Sequence, residues 1–210
     1  MIVLGVLVSG GGTNLQAILD AIAARSLDAR VAVVISNVLE AGALARARGA
    51  GVEAITVDHK AFATRSAFDE ALVHTLRARG VDVVVLAGFM RIVTSVLLDA
   101  FPMRVVNIHP ALLPAFPGVH SQQQALDYGA RITGCTVHFV DGGTDTGPII
   151  AQSAVPVLDS DDEATLTARI LEEEHALLPR VLQWISERRV TVEPAEAGRA
   201  RVRVRGPSSH

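Results

Sequence analysis

Short apolar runs alternate with amphipathic segments through the first half of the chain. The pattern predicts strands at residues 2–8, 31–35, 52–57, 81–86 and 103–108. It predicts helices after Asn14, at 41–48, at 66–79 and from a Thr94 cap to Ala100. The fourth apolar run is almost entirely Val and Leu, as expected for a strand covered on both faces. This alternation predicts an α/β fold with a doubly wound, mostly parallel sheet.

The later part of the chain has a different pattern. Strands are predicted at 133–140 and 149–155, on either side of a glycine-rich loop, which indicates an antiparallel extension of the sheet. Ser160 and Glu163 match a capping box that would open a long helix to about residue 185. Pro179 predicts a kink in that helix or a break into two helices.

The chain is expected to form one domain over residues 1–186, followed by a tail at 187–210. The tail contains an alternation of Arg with apolar residues at 199–205. This alternation is typical of an edge strand or a frayed arm, and an RNA-binding arm is the less favoured alternative. A formal charge of −3 gives no reason to expect nucleic-acid or membrane-surface binding.

Composition narrows the chemistry further. Cys135 is the single cysteine, which fits a reducing, cytoplasmic location. Lys60 is the single lysine, so a P-loop lysine and a Schiff-base lysine are both disfavoured. No His-Glu-x-x-His segment is present and one cysteine supports no zinc cluster, so no metal is expected. The apolar segment at 2–8 is too short for a signal peptide or a membrane span.

A glycine-rich turn, Gly10-Gly11-Gly12-Thr13-Asn14, joins the first strand to the first helix. In α/β folds this is where backbone N–H groups and the helix dipole bind phosphate. The turn is not the dinucleotide fingerprint, because Leu15 stands where the third glycine belongs, so a nicotinamide-dependent reductase is disfavoured. A phosphate on a smaller ligand is the better inference, and a tight turn without a ligand is the alternative.

The fifth apolar run ends on two polar residues, Asn107 and His109, before Pro110. Residues two apart in a strand point to the same face, and the end of a strand in an α/β sheet opens into the ligand crevice. An amide donor beside an imidazole suits stabilisation of an oxyanion and proton transfer. The alternative is that both side chains merely bond backbone groups at a strand end.

Three further features are weaker alone. Residues 87–93 combine a glycine with bulky apolar side chains and could wall a flat aromatic ligand, or could simply fill the core. Asp145, in the glycine-rich loop 141–147, could orient a histidine, although Asp is ordinary in such turns. The glutamates at 172–174 are typical of a solvated helix face, from which one could turn inward to bind a polar substrate.

Together these motifs resemble the glycinamide ribonucleotide formyltransferase family of purine biosynthesis. The resemblance runs in order from Val3 to about Trp184. The matching segments are residues 9–18, 82–91, 107–114, 116–120, 137–140, 145–148 and 174–175. No segment alone would be specific, but jointly they are.

The resemblance implies transfer of a formyl group from 10-formyltetrahydrofolate to the amine of a small ribonucleotide. It implies Asn107, His109 and Asp145 as the catalytic residues. It implies that the N-terminal half of the domain binds the ribonucleotide phosphate and the C-terminal half binds the folate. The implied ribonucleotide residues are Gly11, Gly12, Thr13, Asn14 and, from the C-terminal half, Glu174. The implied folate residues are Arg65, Met90, Arg91, Ile92, Val93, Asn107, Val140, Asp141 and Asp145. Neither a metal, a nucleic acid nor a membrane partner is implied, and a monomer or homodimer is expected.

Two positions depart from the family pattern. Family members often carry Ser where Ala111 stands and Lys where Ala115 stands, and the lost positive charge could weaken contact with an anionic ligand.

Proteins with other functions share parts of this pattern. A formyltetrahydrofolate deformylase or an initiator-tRNA formyltransferase would be expected to carry an additional domain. A non-catalytic nucleotide- or folate-binding domain on the same fold is the alternative from another class.

Overall fold

The computed structural model describes residues 1–193 and 200–206, and the chain divides into two units, Met1–Asn107 and Ile108–His210. The strands are β1 (Ile2–Val8), β2 (Ala29–Ser36), β3 (Glu53–Thr56), β4 (Val83–Leu86), β5 (Val105–His109), β6 (Ile132–Phe139), β7 (Ile149–Pro156), β8 (Val190–Glu193) and β9 (Arg201–Val204). The helices are α1 (Thr13–Ala23), α2 (Gly42–Gly49), α3 (Arg65–Arg77), α4 (Ser95–Ala100), α5 (Ser121–Tyr128) and α6 (Glu163–Ser186), with one 3₁₀ turn at His59–Ala61.

Parallel strands joined by helices build the first unit. Strand β1 lies between β2 and β4 and pairs in parallel with both. On the outer sides, β2 pairs in parallel with β3, and β4 pairs in parallel with β5. All four residues of β4 are buried, as a strand covered on both faces must be. The β1 side chains Leu4, Val6, Leu7 and Val8 have no exposed surface and form the centre of this core.

The second unit adds antiparallel pairing. Strands β6 and β7 pair antiparallel, and β8 pairs antiparallel with β9 in a separate two-stranded sheet. The seven main strands follow the order β3-β2-β1-β4-β5-β6-β7 in one sheet. The predicted mostly parallel α/β sheet with an antiparallel extension is therefore confirmed. Within the tail, the predicted edge strand is present at β9, whereas Arg199 lies outside the described residues.

The structure differs from the local predictions at the long helix and at residues 121–128. Helix α6 begins after Asp162, not Ser160, because Asp162 and Thr165 form the reciprocal capping box. Of the two outcomes predicted at Pro179, a kink or a break, the break does not occur, because α6 is one continuous helix from Glu163 to Ser186. Helix α5 was not predicted, because its Gln-rich sequence buries only Ser121 and Ala125.

Candidate active site

The glycine turn is held against helix α2. The backbone N–H of Ala43 donates to the Gly10 carbonyl at 3.1 Å, and Nε of Arg46 donates to the Gly11 carbonyl at 2.8 Å. Gly12 has a φ of 75°, and a Cβ placed there would lie 2.5 Å from the Ala43 Cβ. Only glycine therefore fits at this position.

Helix α1 starts directly at this turn, with Thr13 and Asn14 as its first two residues. The first N–H groups of a helix have no partner within the helix, and the positive end of the helix dipole lies there. The first turn of α1 carries no acidic side chain that would oppose an anion. The structure thus brings Gly11, Gly12, Thr13 and Asn14 into one short segment with the properties of an anion site.

The loop at residues 88–94 follows β4. Met90 and Ile92 expose 72% and 57% of their surface, whereas Val93 is buried. The Arg91 guanidinium lies 5.3 Å from the centre of the Phe68 ring on α3. Exposed apolar side chains on a tethered loop offer a surface that an apolar ring can cover.

Helix α3 lies beside this loop in the same unit. The Asp69 carboxylate accepts from Thr94 twice, from the backbone N–H at 2.6 Å and from the hydroxyl at 2.8 Å. Arg65 is the first residue of α3 and is exposed. The Arg65 guanidinium is therefore accessible to an anionic group of a ligand.

Asn107 and His109 lie on β5, two residues apart, as the sequence predicts. His109 is 4% exposed and Asn107 is half-buried. Nε2 of His109 lies 2.9 Å from the Phe116 carbonyl, and because a carbonyl only accepts, Nε2 must carry the proton. Nδ1 of His109 then faces Oδ2 of Asp145 at 3.4 Å.

Burial lowers the pKa of His109 below its ordinary value of 6.5. The bond to Phe116 and the charge of Asp145 oppose this effect without overcoming it, and His138 adds to the lowering. Burial therefore favours the neutral form of His109, in which Nδ1 has a lone pair that can accept a proton.

Both carboxylate oxygens of Asp145 have a polar neighbour. Oδ2 accepts the Gly118 N–H at 2.8 Å, and Oδ1 lies 3.6 Å from Nε2 of His138. Burial alone would raise the pKa of this carboxyl, but bonds from His138 and Gly118 and the nearby His109 outweigh it, so the pKa is lowered. The backbone of Asp145 has a φ of 54°, a strained value for a residue other than glycine.

His138 is a neighbour of Asp145 to which the sequence analysis assigned no role. It is 2% exposed on β6, and Nδ1 lies 2.8 Å from the Phe139 carbonyl, which fixes the proton on that nitrogen. Nε2 of His138 faces Oδ1 of Asp145 and Nδ1 of His109 faces Oδ2, so each carboxylate oxygen lies beside one imidazole ring. A histidine inside a buried strand that leads into the Asp145 loop was the signal available in the sequence.

The loop between β6 and β7 is ordered by its own side chains. Oδ1 of Asp141 accepts from the Gly143 N–H at 3.1 Å and from the Thr146 hydroxyl at 2.6 Å. A Cβ at Gly147 would lie 1.7 Å from the Phe139 carbonyl oxygen, so this close approach of backbone segments requires glycine. Val140 and Asp141, both half-buried, sit at the start of the loop.

Of the three consecutive glutamates on α6, Glu172 is exposed and Glu174 is buried at 6% exposure. Glu173 accepts the Ser153 hydroxyl at 2.5 Å. Burial raises the pKa of the Cys135 thiol to about 12, with a smaller contribution from the charge of Glu174. The sequence analysis allowed that one of these three glutamates turns inward, and the buried one is Glu174.

A family model described as formyl transferase matches residues 3–182 of this sequence. The chain belongs to the formyl transferase family. The family resemblance drawn from the motifs is therefore confirmed. The matched segment contains the glycine turn, His109, Asp145 and Glu174.

Several relatives of this formyl transferase are close in sequence. The chain is 44% identical over 185 residues to the phosphoribosylglycinamide formyltransferase of Escherichia coli. The alignment covers 88% of this chain and 87% of that protein. It is 47% identical over 191 residues to the trifunctional purine biosynthetic protein adenosine-3 of Drosophila melanogaster. That alignment covers 90% of this chain but only 14% of the Drosophila protein.

The fold of this formyl transferase matches a solved structure closely. Glycinamide ribonucleotide transformylase 1 from Symbiobacterium toebii superposes with a TM-score of 0.94 at 52% identity, covering 97% of this chain and 94% of that one. Among the described residues, no helix is long and apolar enough to cross a membrane. Within the same residues, no group of three His, Cys, Asp or Glu side chains could hold a metal ion.

Proposed function

We propose that this formyl transferase moves the formyl group of 10-formyltetrahydrofolate onto the amine of 5′-phosphoribosylglycinamide, a step of de novo purine biosynthesis. The observation that carries the proposal is the contact of His109 with Asp145 in a chain of this family. The names of the E. coli and S. toebii relatives support the acceptor. The reduced single Cys135 supports a cytoplasmic location, and residues 1–186 would form the working domain.

The ribonucleotide phosphate would bind the N–H groups of Gly11, Gly12, Thr13 and Asn14. With the carbonyls of Gly10 and Gly11 bonded to α2, this turn can present N–H groups to the phosphate without an opposing carbonyl. Glu174 would bind the ribose or glycinamide portion. A buried carboxylate suits this role, because it accepts hydrogen bonds from hydroxyl or amine groups.

The folate would be bound by residues 90–93, by Val140 and Asp141, and by Asn107 and Asp145 near the reacting group. The exposed Met90 and Ile92 would pack on its rings, while backbone groups bond the pterin. Arg65 would meet the anionic tail, since it is exposed and carries a positive charge at all relevant pH values.

In the first chemical step the acceptor nitrogen attacks the formyl carbon, and the formyl oxygen gains negative charge. The Asn107 amide and the Nε2–H of His109 would donate to that oxygen. In this structure Nε2–H is bonded to the Phe116 carbonyl, so the formyl oxygen must replace that carbonyl as the acceptor.

The attacking nitrogen then loses a proton. Neutral His109, with ionised Asp145 beside Nδ1, can take it up directly or through a water molecule, and Asp145 stabilises the imidazolium that forms. The tetrahedral intermediate collapses as the bond to N10 of the folate breaks. N10 would take up the proton held by the His109 imidazolium as the formyl C=O bond re-forms, so the products are the formylated amine and tetrahydrofolate, and His109 is again neutral.

The test follows the absorbance of the formyl folate in the presence and absence of phosphoribosylglycinamide. Loss of the formyl group that requires the ribonucleotide is the expected result. Release of formate without it would make the protein a deformylase. Absence of any reaction, with the folate bound, would make it a binding domain, and either result would overturn the proposal.

A further inference from the structure

Ser9 makes three hydrogen bonds at the end of β1. Its backbone N–H donates to the Gly88 carbonyl at 3.0 Å, and its hydroxyl accepts the Met90 N–H at 2.9 Å. The same hydroxyl donates to Oδ1 of Asn37 at 2.6 Å. One side chain therefore connects the segments that follow β1, β2 and β4, all within the first unit.

Asn37 sets the direction of the Ser9 hydroxyl. Asn37 is buried, and its Nδ2 lies 3.4 Å from Nδ1 of His59, so its Oδ1 is turned toward Ser9. A hydroxyl has a single hydrogen and two lone pairs. Because the hydrogen is given to Asn37, a lone pair is left for the N–H of Met90.

The two halves of the 88–94 loop are held by different contacts. The second half is fixed by Arg91 over the Phe68 ring and by the two bonds from Thr94 to Asp69. In the first half Phe89 is buried, whereas the Met90 side chain is 72% exposed, so side-chain burial does not fix the backbone at Met90 itself. The hydrogen bond from the Met90 N–H to the Ser9 hydroxyl holds the backbone at this residue.

We propose that Ser9 is a positioning residue that sets the loop backbone at Met90 for the folate and joins this loop to the glycine turn beginning at Gly10. The inference rests on the proposed function for its ligand. Ser9 touches neither substrate in this account; it acts through Met90. Its loss therefore weakens folate binding more than it slows the chemical step.

The test is Ser9→Ala, with calorimetric titration of a folate analogue that cannot release its formyl group. The dissociation constant is expected to rise about 5- to 20-fold, as for loss of a hydrogen bond that orders a loop, while kcat changes less than about threefold. Ser9→Thr keeps the hydroxyl and should restore affinity to within about threefold of the wild type. Ser26→Ala is the matched control, since the Ser26 hydroxyl donates to the Ala21 carbonyl at the other end of α1.

A ligand-free measurement separates this inference from the proposed function. Hydrogen exchange at the Met90 amide should be about tenfold faster in Ser9→Ala than in the wild type or Ser26→Ala. Unchanged exchange at Met90 would overturn the inference whatever the enzyme catalyses. A lower Tm with wild-type folate affinity would also overturn it, leaving Ser9 as a structural residue. A wild type that neither binds folate nor transfers formyl groups would overturn the proposed function alone.

Discussion

Nδ1 of His109 faces Oδ2 of Asp145 at 3.4 Å because the Phe116 carbonyl holds the imidazole proton on the opposite nitrogen. The relationship fixes both the orientation of the ring and the site at which it can take up a proton. It also makes the two groups titrate together, since protonation of His109 is favoured by the charge of Asp145. His138 approaches the other carboxylate oxygen of Asp145, and it lowers the pKa of both Asp145 and His109.

Replacing His109 with Asn should lower kcat by about 10²- to 10⁴-fold, the range typical for loss of a proton-transfer group. Folate affinity should change by less than about threefold, because the effect lies in the transition state. Steady-state kinetics and folate titration measure the two quantities. His74→Asn, an exposed substitution on α3, is the control. Near-normal turnover in the His109 variant would remove it from the mechanism.

Asp145→Asn should shift the acid limb of the kcat/KM profile to lower pH and reduce kcat/KM. The charge of Asp145 raises the pKa of His109, so its removal lowers that pKa further below 6.5. Activity requires neutral His109, so activity persists to lower pH relative to its own maximum. The profile is measured from pH 4.5 to 9, roughly two units on either side of the ordinary His value.

The control for this shift is Asp159→Asn, because Asp159 is exposed and pairs with Arg131. Its profile should match that of the wild type. An acid limb that stays in place in Asp145→Asn would contradict the proposed coupling.

His138→Gln should move the same limb in the opposite direction. His138 lowers the pKa of His109 by charge repulsion, and its hydrogen bond lowers the pKa of Asp145. Without it, both pKa values rise and the acid limb moves to higher pH. A purely structural effect would reduce activity at every pH equally, so comparison of the two profiles decides between these explanations.

Gly12→Ala should lower stability and raise the KM for the ribonucleotide. An alanine at a φ of 75° costs about 1–2 kcal/mol of unfolding free energy, before the overlap with Ala43 is counted. Thermal denaturation and initial-rate kinetics measure the two effects. Gly10→Ala is the matched control, since no atom lies within 4 Å of a Cβ there. An equal KM in both variants would exclude Gly12 from the phosphate turn.

Much of the fold follows from periodicity in the sequence. Strand β1 was predicted with its observed bounds, and the other predicted strands lie within a few residues of theirs. These elements are predictable because buried parallel strands are continuous apolar runs. Helix α5 and the start of α6 were not, because they depend on a polar sequence and on a side-chain cap rather than on a repeat.

The sequence by itself determined the α/β class, the glycine turn and the polar end of β5, since each is a local pattern of residues. Only the tertiary structure decided that His109 and Asp145 meet and that His138 joins them, because these residues are far apart in the chain and are brought together by β5, β6 and the following loop. It also decided that Nε2 of His109 and Nδ1 of His138 each carry a proton. That assignment depends on the carbonyls of Phe116 and Phe139, and a backbone carbonyl is present at every residue, so no sequence pattern reveals which one a histidine will meet.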